Sequence, residues 1–257
     1  MKKLLIILMV LLSWQCEEIS EQELGIDNDV LLVVDGGITN ELGTQEIKLS
    51  LTFNELGQEP PPVTDALVIV NEGEDNYFFT HDESRPGTYT NNSLVALFGK
   101  VYILYIQYDG KEFYAFATSG LGTSLPPLTL EETNTGDMEY IHTETIASMT
   151  NVRVEWDDDG IVESKEGFFY TLDVVDITKT FAPEKEPFTF PRGATVHRKK
   201  YSLTPDHQNF LRSFLAEVDW RGGGFDAAPG NVLTNLSDGA LGYFYVSMVD
   251  SDSTVVN

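Results

Sequence analysis

The sequence predicts a mainly β protein, with an N-terminal β-sandwich followed by a second β-rich part that holds one helix. Three observations predict this. Apolar and polar residues alternate in many short runs, turn-forming Gly, Asp and Pro close those runs at regular intervals, and only one stretch has helical spacing.

Ahead of the sandwich, Lys2 and Lys3 precede an apolar run from Leu4 to Leu12. Ser13-Trp14-Gln15 then lead into the chain's one cysteine, Cys16. This is the layout of a secretory leader ending at a lipidated cysteine, and the run is too short to cross a bilayer, which takes about 20 residues. Residues 1–15 are therefore read as a lipoprotein signal peptide and Cys16 as the lipidation site. The plainer alternative is a buried free cysteine that merely follows a signal sequence. Residues 16–28 are polar and acidic with little to bury, as a flexible tether would be.

The sandwich is placed at 29–125. Val30 to Val34 is a continuous apolar run, and Ile47, Leu49, Leu51 and Phe53 alternate with polar neighbours. Ala66 to Val70, Tyr77 to Thr80, Val101 to Tyr108 and Phe113 to Thr118 are further strand candidates, the last two joined by the hairpin dipeptide Asp109-Gly110. Pro126-Pro127 and the polar stretch Glu131 to Asp137 mark the seam with the second part, 126–257. There Val152, Val154 and Trp156 alternate with charged residues, Asp157-Asp158-Asp159-Gly160 turns the chain, and Phe168 to Val175 returns. A helix is expected near 205–218. Thr204 caps it, Pro205 suits the first turn, and Phe210, Leu211, Phe214, Leu215 and Val218 form its apolar face. Leu241 to Val249 supplies a final aromatic-rich strand.

The formal charge of −25 over 257 residues opposes phosphate backbones, so nucleic acid is not an expected partner. The acids are spread along the chain, which fits solubility better than cation binding. With Cys16 lipidated, no thiol is left for disulfide, metal or redox chemistry.

One segment has calcium-loop spacing: Glu155, Asp157, Asp159, Glu163 and Glu166 stand at its first, third, fifth, ninth and twelfth positions, with Gly160 where the loop turns. A glutamate in the first position and strand-like flanks instead read it as an acidic β-turn needing no metal, and no cofactor is expected. The four histidines, His81, His142, His197 and His207, lie far apart and form no helical zinc pair. No nucleophile elbow, phosphate loop or dinucleotide fingerprint occurs, although a carboxylate pair for glycoside hydrolysis leaves no spacing signature. Tyr102, Tyr105, Tyr108, Phe113, Tyr114 and Phe116 crowd one hairpin, where alternation sends some to the core and some outward. Tyr243, Phe244 and Tyr245 pose the same question.

Several segments together resemble one family. Leu32-Val33-Val34-Asp35-Gly36-Gly37-Ile38-Thr39-Asn40 behind the cysteine, Val63 to Val68, Pro86-Gly87-Thr88-Tyr89, and the closing Phe225 to Val232 and Gly239 to Phe244 are similar to the lipoproteins of the domain of unknown function 4249. The resemblance implies an immunoglobulin-like N-terminal sandwich and a lipoprotein of the Bacteroidota outer membrane, facing the cell exterior. Glu17 and Glu18 then resemble the surface-export signal of that phylum. It also implies association with TonB-dependent transporters, and it supplies no catalytic residues. The expectation is a non-enzymatic accessory or substrate-capturing partner of such a nutrient transporter, touching the membrane through its lipid alone. The nutrient itself, glycan, peptide or other, is left open. The rivals are a free-standing adhesin or glycan- or peptide-binding module, and a carboxylate-based hydrolase.

Overall fold

The computed structural model describes residues 30–53, 59–172, 186–218 and 232–257. The leader, the tether, Cys16, Glu17, Glu18 and the Phe225 to Asn231 part of the family signature lie outside those residues. Residues Leu31–Asn257 form one compact unit.

The first layer is a sheet of β1 (Leu32–Thr39), β2 (Gln45–Leu51), β3 (Leu67–Glu72), β4 (Asp75–His81), β5 (Thr88–Asn91), β6 (Val101–Tyr108) and β7 (Lys111–Thr118). Its eighth member comes from the far end of the chain, β14 (Ala240–Ser247), and the order is β14-β1-β2-β5-β4-β3-β6-β7. The mainly β class read from alternation is what the chain adopts. Val34, Ile38, Ile47, Leu49, Val68, Val70, Tyr102, Leu104, Ile106 and Phe244 are buried on the inner side. The sheet curls until its two ends meet, since Ser119 bridges Val246 and Ala115 bridges Leu236, which nearly closes it around that core. Closure of this kind hides backbone edges that would otherwise recruit other strands.

Two glycines permit the β1–β14 join. Gly242 has φ +91°, and a side chain there would sit on the Val34 carbonyl. Gly37 lies under the ring of Tyr245, so a Cβ would collide with that ring.

The second layer pairs a four-stranded sheet with a three-stranded one. The former contains β10 (Ser148–Asp158), β11 (Ile161–Thr171), β13 (Thr195–Ser202) and β15 (Val249–Val255), in the order β11-β10-β13-β15. The latter contains β8 (Leu130–Glu132), β9 (Met138–Tyr140) and β12 (Thr189–Phe190). Met138, Tyr140, Val152, Val154, Phe188, Phe190 and Val196 fill the space between them. The final strand read from the sequence is two strands: at Met248 the chain leaves β14 and enters β15, passing from one layer to the other. That crossing is bonded on both sides. Met248 N donates to Ser202 Oγ at 2.9 Å, Ser247 Oγ donates to Ser202 O at 2.9 Å, and Val249 N donates to Asn40 Oδ1 at 2.6 Å.

The inner side of β13 carries two cations. Arg198 pairs with Asp252 and Lys200 with Glu144, and Lys200 Nζ also donates to Thr123 Oγ1 at 2.5 Å and Ser124 O at 3.1 Å. Burial works to raise the Glu144 pKa, but the Lys200 ammonium and the N–H groups of Ile146 and Thr145 outweigh it and hold the carboxyl below its usual range.

Among the described residues there is one helix, α1 (Pro205–Val218). Thr204 caps it as expected, its Oγ1 accepting from His207 N at 3.3 Å. The buried face keeps Leu211 and Leu215 of the expected one, with Phe210 packed beside them, and departs from it at Phe214 and Val218. His207, Gln208, Leu211 and Leu215 are buried, while Phe214 and Val218 are exposed. The cause is an aromatic stack along β14: His207 lies 5.1 Å from Tyr243 at 14° and 4.6 Å from Tyr245 at 24°, and Phe210 lies 4.5 Å from Tyr243. Stacking turns the helix so that the histidine, not Phe214, faces the sheet.

Candidate functional site

Alternation divides the aromatic hairpin between two faces. Tyr102 and Phe113 are buried in the first core and Tyr108 packs at its margin, whereas Tyr105, Tyr114 and Phe116 point outward. The register then extends this outer face over four strands. Ile69 opposes both Phe78 and Tyr105, and Tyr105 opposes Tyr114, so Phe78, Ile69, Tyr105 and Tyr114 form one row across β4, β3, β6 and β7. Beside it, Asn76, Asn71, Ile103 and Phe116 form a second row. On the other flank, Leu67, Gln107 and Glu112 form a third.

Phe116 is 63% exposed and Phe78 59%, which is unusual for rings set in a continuous sheet. Tyr105 and Tyr114 are held in place: their hydroxyls donate to the two oxygens of Glu112 at 3.1 and 2.8 Å, and their rings stand 5.2 Å apart at 53°. The Glu112 carboxylate raises the Tyr114 pKa, and partial burial followed by the same carboxylate raises that of Tyr105. Both phenols are thus neutral donors near pH 7. At the Phe116 end the face opens into a recess of about 210 Å³ lined by Val101, Phe116, Thr118, Thr204, Asp206 and Tyr243 among others. Burial, then Asp206, pushes the Tyr243 pKa up to about 12.

The outer face of the four-stranded sheet holds a second, larger depression of about 540 Å³, walled by Phe168 and Tyr201. Its charges are already matched. Arg153 pairs with Glu155 at 2.5 Å, His197 lies 3.6 Å from the same carboxylate, Lys199 pairs with Glu41 at 2.7 Å, and Asn151 donates to Glu166 at 2.6 Å.

The acidic segment is the tip of the β10–β11 hairpin. Asp158 opposes Ile161, and Asp159 and Gly160 have φ of 52° and 83°, as a two-residue turn of the primed type requires. The structure does not gather its carboxylates. Glu155, Asp157 and Glu166 belong to one side of the ribbon by alternation, Glu163 opposes Trp156 on the other side, and Asp159 is in the turn. Asp157 Oδ1 accepts from Gly160 N at 2.9 Å. Among the described residues no group of three or more His, Cys, Asp or Glu side chains is placed to hold a metal ion. The histidines have separate partners. His81 Nε2 accepts from Gly87 N at 3.2 Å, His142 Nε2 meets Thr171 Oγ1 at 2.8 Å, His197 faces Glu155, and His207 is buried in the aromatic stack. Burial pushes the His207 pKa down to about 4.

Phe78, Ile69 and Leu67 were not singled out in the sequence, because the rows they complete depend on register between strands. The ion pairs of the two buried cations were missed as well, although four successive basic residues on a strand, His197 to Lys200, carry a signal: alternation must send two of them inward.

The profile of the family described as Domain of unknown function (DUF4249) matches residues 18–253. The chain belongs to that family. No curated protein sequence matches this DUF4249 chain. Among solved structures it is similar to the FN1–FN3 domains of chicken CNTN1, at 9% identity and a TM-score of 0.27, over 67% of this chain and 60% of that one. It thus spans less than two thirds of that structure. It is also similar to a chain described as a cytokine receptor complex, at 14% identity and a TM-score of 0.23, over 66% of this chain and 90% of that one. Likeness at this level carries no functional weight. Among the described residues no helix is long and apolar enough to cross a membrane.

Proposed function

We propose that this DUF4249 chain is a lipid-anchored capture protein of the outer cell surface, without catalytic activity of its own, that serves a TonB-dependent nutrient transporter. One observation carries the reading. The outer face of β4, β3, β6 and β7 presents Phe78, Tyr114 and Phe116 to solvent, with half-buried Tyr105 among them, as a contiguous patch rimmed by polar groups, the character of an interaction surface. The leader supports it. Acyl chains on Cys16 hold the protein in the membrane plane, where a weak contact with a barrel suffices because the two are confined together. Glu17 and Glu18 direct it to the exterior, in the manner of the Bacteroidota surface lipoproteins that the sequence resembles.

Crosslinking on intact cells tests the reading. The protein is expected to be trapped with a TonB-dependent barrel, and its deletion to impair uptake of one nutrient class while extracellular breakdown of that nutrient continues. Degradation of a glycan or peptide by the purified full chain with no partner present overturns it. Cys16→Ser is expected to abolish fatty-acid labelling and release the protein from membranes.

A further inference from the structure

We infer that the outer aromatic face binds a neutral oligosaccharide, laid across β4, β3, β6 and β7 with one end directed to the recess beside Phe116. This names the substrate class of the capture surface proposed above and rests on that reading. Four features select the ligand.

The first is shape. The row from Phe78 to Tyr114 crosses three inter-strand steps of about 4.8 Å, roughly 14 Å in all, so it suits an extended, flat ligand of several rings. The second is the electronic character of the surface. The face of an aromatic ring is electron-rich and attracts the positively polarised C–H groups on the flat side of a sugar, while the ring also covers apolar area. The third is preorganisation. Glu112 holds both Tyr105 and Tyr114 before any ligand arrives, so little side-chain entropy remains to be lost on binding. Gln107, beside Glu112 and exposed, adds amide donors and an acceptor at the edge of the rings, and Thr118 and Asp206 offer hydroxyl and carboxylate oxygens in the recess. The fourth is charge. The three rows of this face contain no Lys or Arg, and the chain carries −25, so a phosphate-, sulfate- or uronate-bearing ligand is repelled whereas a neutral one is not. A protein partner would also be drawn to exposed aromatics, but the fixed phenols and their hydrogen-bonding fringe match the alternating apolar and hydroxyl surface of a sugar chain.

The test uses the full chain in detergent micelles. Calorimetric titration is made with maltohexaose, cellohexaose, mannohexaose and xylohexaose, and with hexagalacturonate as the anionic control. At least one neutral hexasaccharide is expected to bind and the hexagalacturonate is not. Tyr114→Ala and Phe116→Ala are each expected to weaken binding about tenfold or more, and Tyr114→Phe, which keeps the ring, by no more than about threefold. Because these side chains are exposed, unchanged thermal unfolding shows that the variants remain folded. Failure of every neutral hexasaccharide to bind below about 10 mM, or binding indifferent to the alanine variants, overturns the inference. Crosslinking the same variants on cells separates this failure from that of the parent reading. A barrel crosslink that persists without sugar binding leaves the capture protein standing and removes its ligand, while a crosslink lost in Tyr114→Ala and Phe116→Ala when the wild type binds no sugar makes the face a protein-docking surface and overturns the sugar assignment.

Discussion

Replacing Lys200 with Met tests whether the buried cation of β13 holds the two layers together. Its side chain is 3% exposed and that of its partner Glu144 6%. Methionine fills a similar volume but leaves the Glu144 carboxylate buried without its counter-charge, and frees Thr123 Oγ1 and Ser124 O of a donor. Removing one member of a buried pair costs about 3–5 kcal/mol. With a urea slope of about 2–3 kcal/mol/M for a chain of this size, the unfolding midpoint falls by about 1–2.5 M. The pH dependence identifies the cause. In the wild type the folded pKa of Glu144 lies below its unfolded value, so the stability it contributes is present above about pH 4.3 and is lost as pH falls through the folded pKa. In Lys200→Met the carboxyl is buried without a cation and its folded pKa rises, so protonation relieves the defect. The difference between the two proteins therefore shrinks as pH is lowered toward about 4, and Lys200→Met/Glu144→Gln recovers most of the loss at neutral pH. Urea unfolding followed by circular dichroism at several pH values measures both. A loss below about 1 kcal/mol near pH 7.5, or one that is the same near pH 4, refutes the argument.

Three further outcomes are expected. His207, stacked and desolvated, has its pKa pushed down to about 4, so the unfolded chain binds the proton first; stability present above pH 6.5 is lost as pH falls toward 4, by about 3 kcal/mol, and His207→Phe should flatten that slope in a thermal-unfolding series. Gly242→Ala should cost more than about 2 kcal/mol, because the residue has φ +91° and its new Cβ would meet the Val34 carbonyl, and a melting temperature within a few degrees of wild type would contradict the parallel join. The Asp159-Gly160 turn is expected to need no metal: Ca²⁺ at about 1 mM should leave the melting temperature unchanged, and a stoichiometric isotherm lost in Asp157→Ala would contradict the hairpin account.

Local features were the most legible. Asp109-Gly110 adopts the left-handed pair of a tight hairpin, with φ of 49° and 70°, and Thr204 and Pro205 open the helix where the sequence places it. Each depends only on neighbouring residues. The helix face was only partly legible because the partner surface decides it: Leu211 and Leu215 are core as expected and Phe210 stacks on Tyr243, but Phe214 looks like core and is exposed, while the Tyr243 and Tyr245 rings select His207. The outer aromatic face required register as well as alternation. Tyr105, Tyr114 and Phe116 could be sorted outward from their hairpin alone, yet nothing local announces that Ile69 and Phe78 lie in the same row. The ion pairs of Arg198 and Lys200 are of the same kind, since Asp252 and Glu144 are distant in sequence. Alternation shows that two cations turn inward, and only the fold shows what meets them.

The bonds between Asn40 and Val249 link positions 209 residues apart, and β1 gains its parallel neighbour only from β14. Synthesis runs from the N-terminus, so β1 has its β14-facing edge bare until residues 240–247 have been made. Early folding can complete β2 to β7, whose contacts are close in sequence, but it cannot seal the cylinder. A nascent chain halted before residue 240 would expose a strand able to pair with any other extended segment, including one from a second stalled copy. Lesions near Gly242 should therefore be read out as aggregation through β1, a strand whose own residues are unchanged.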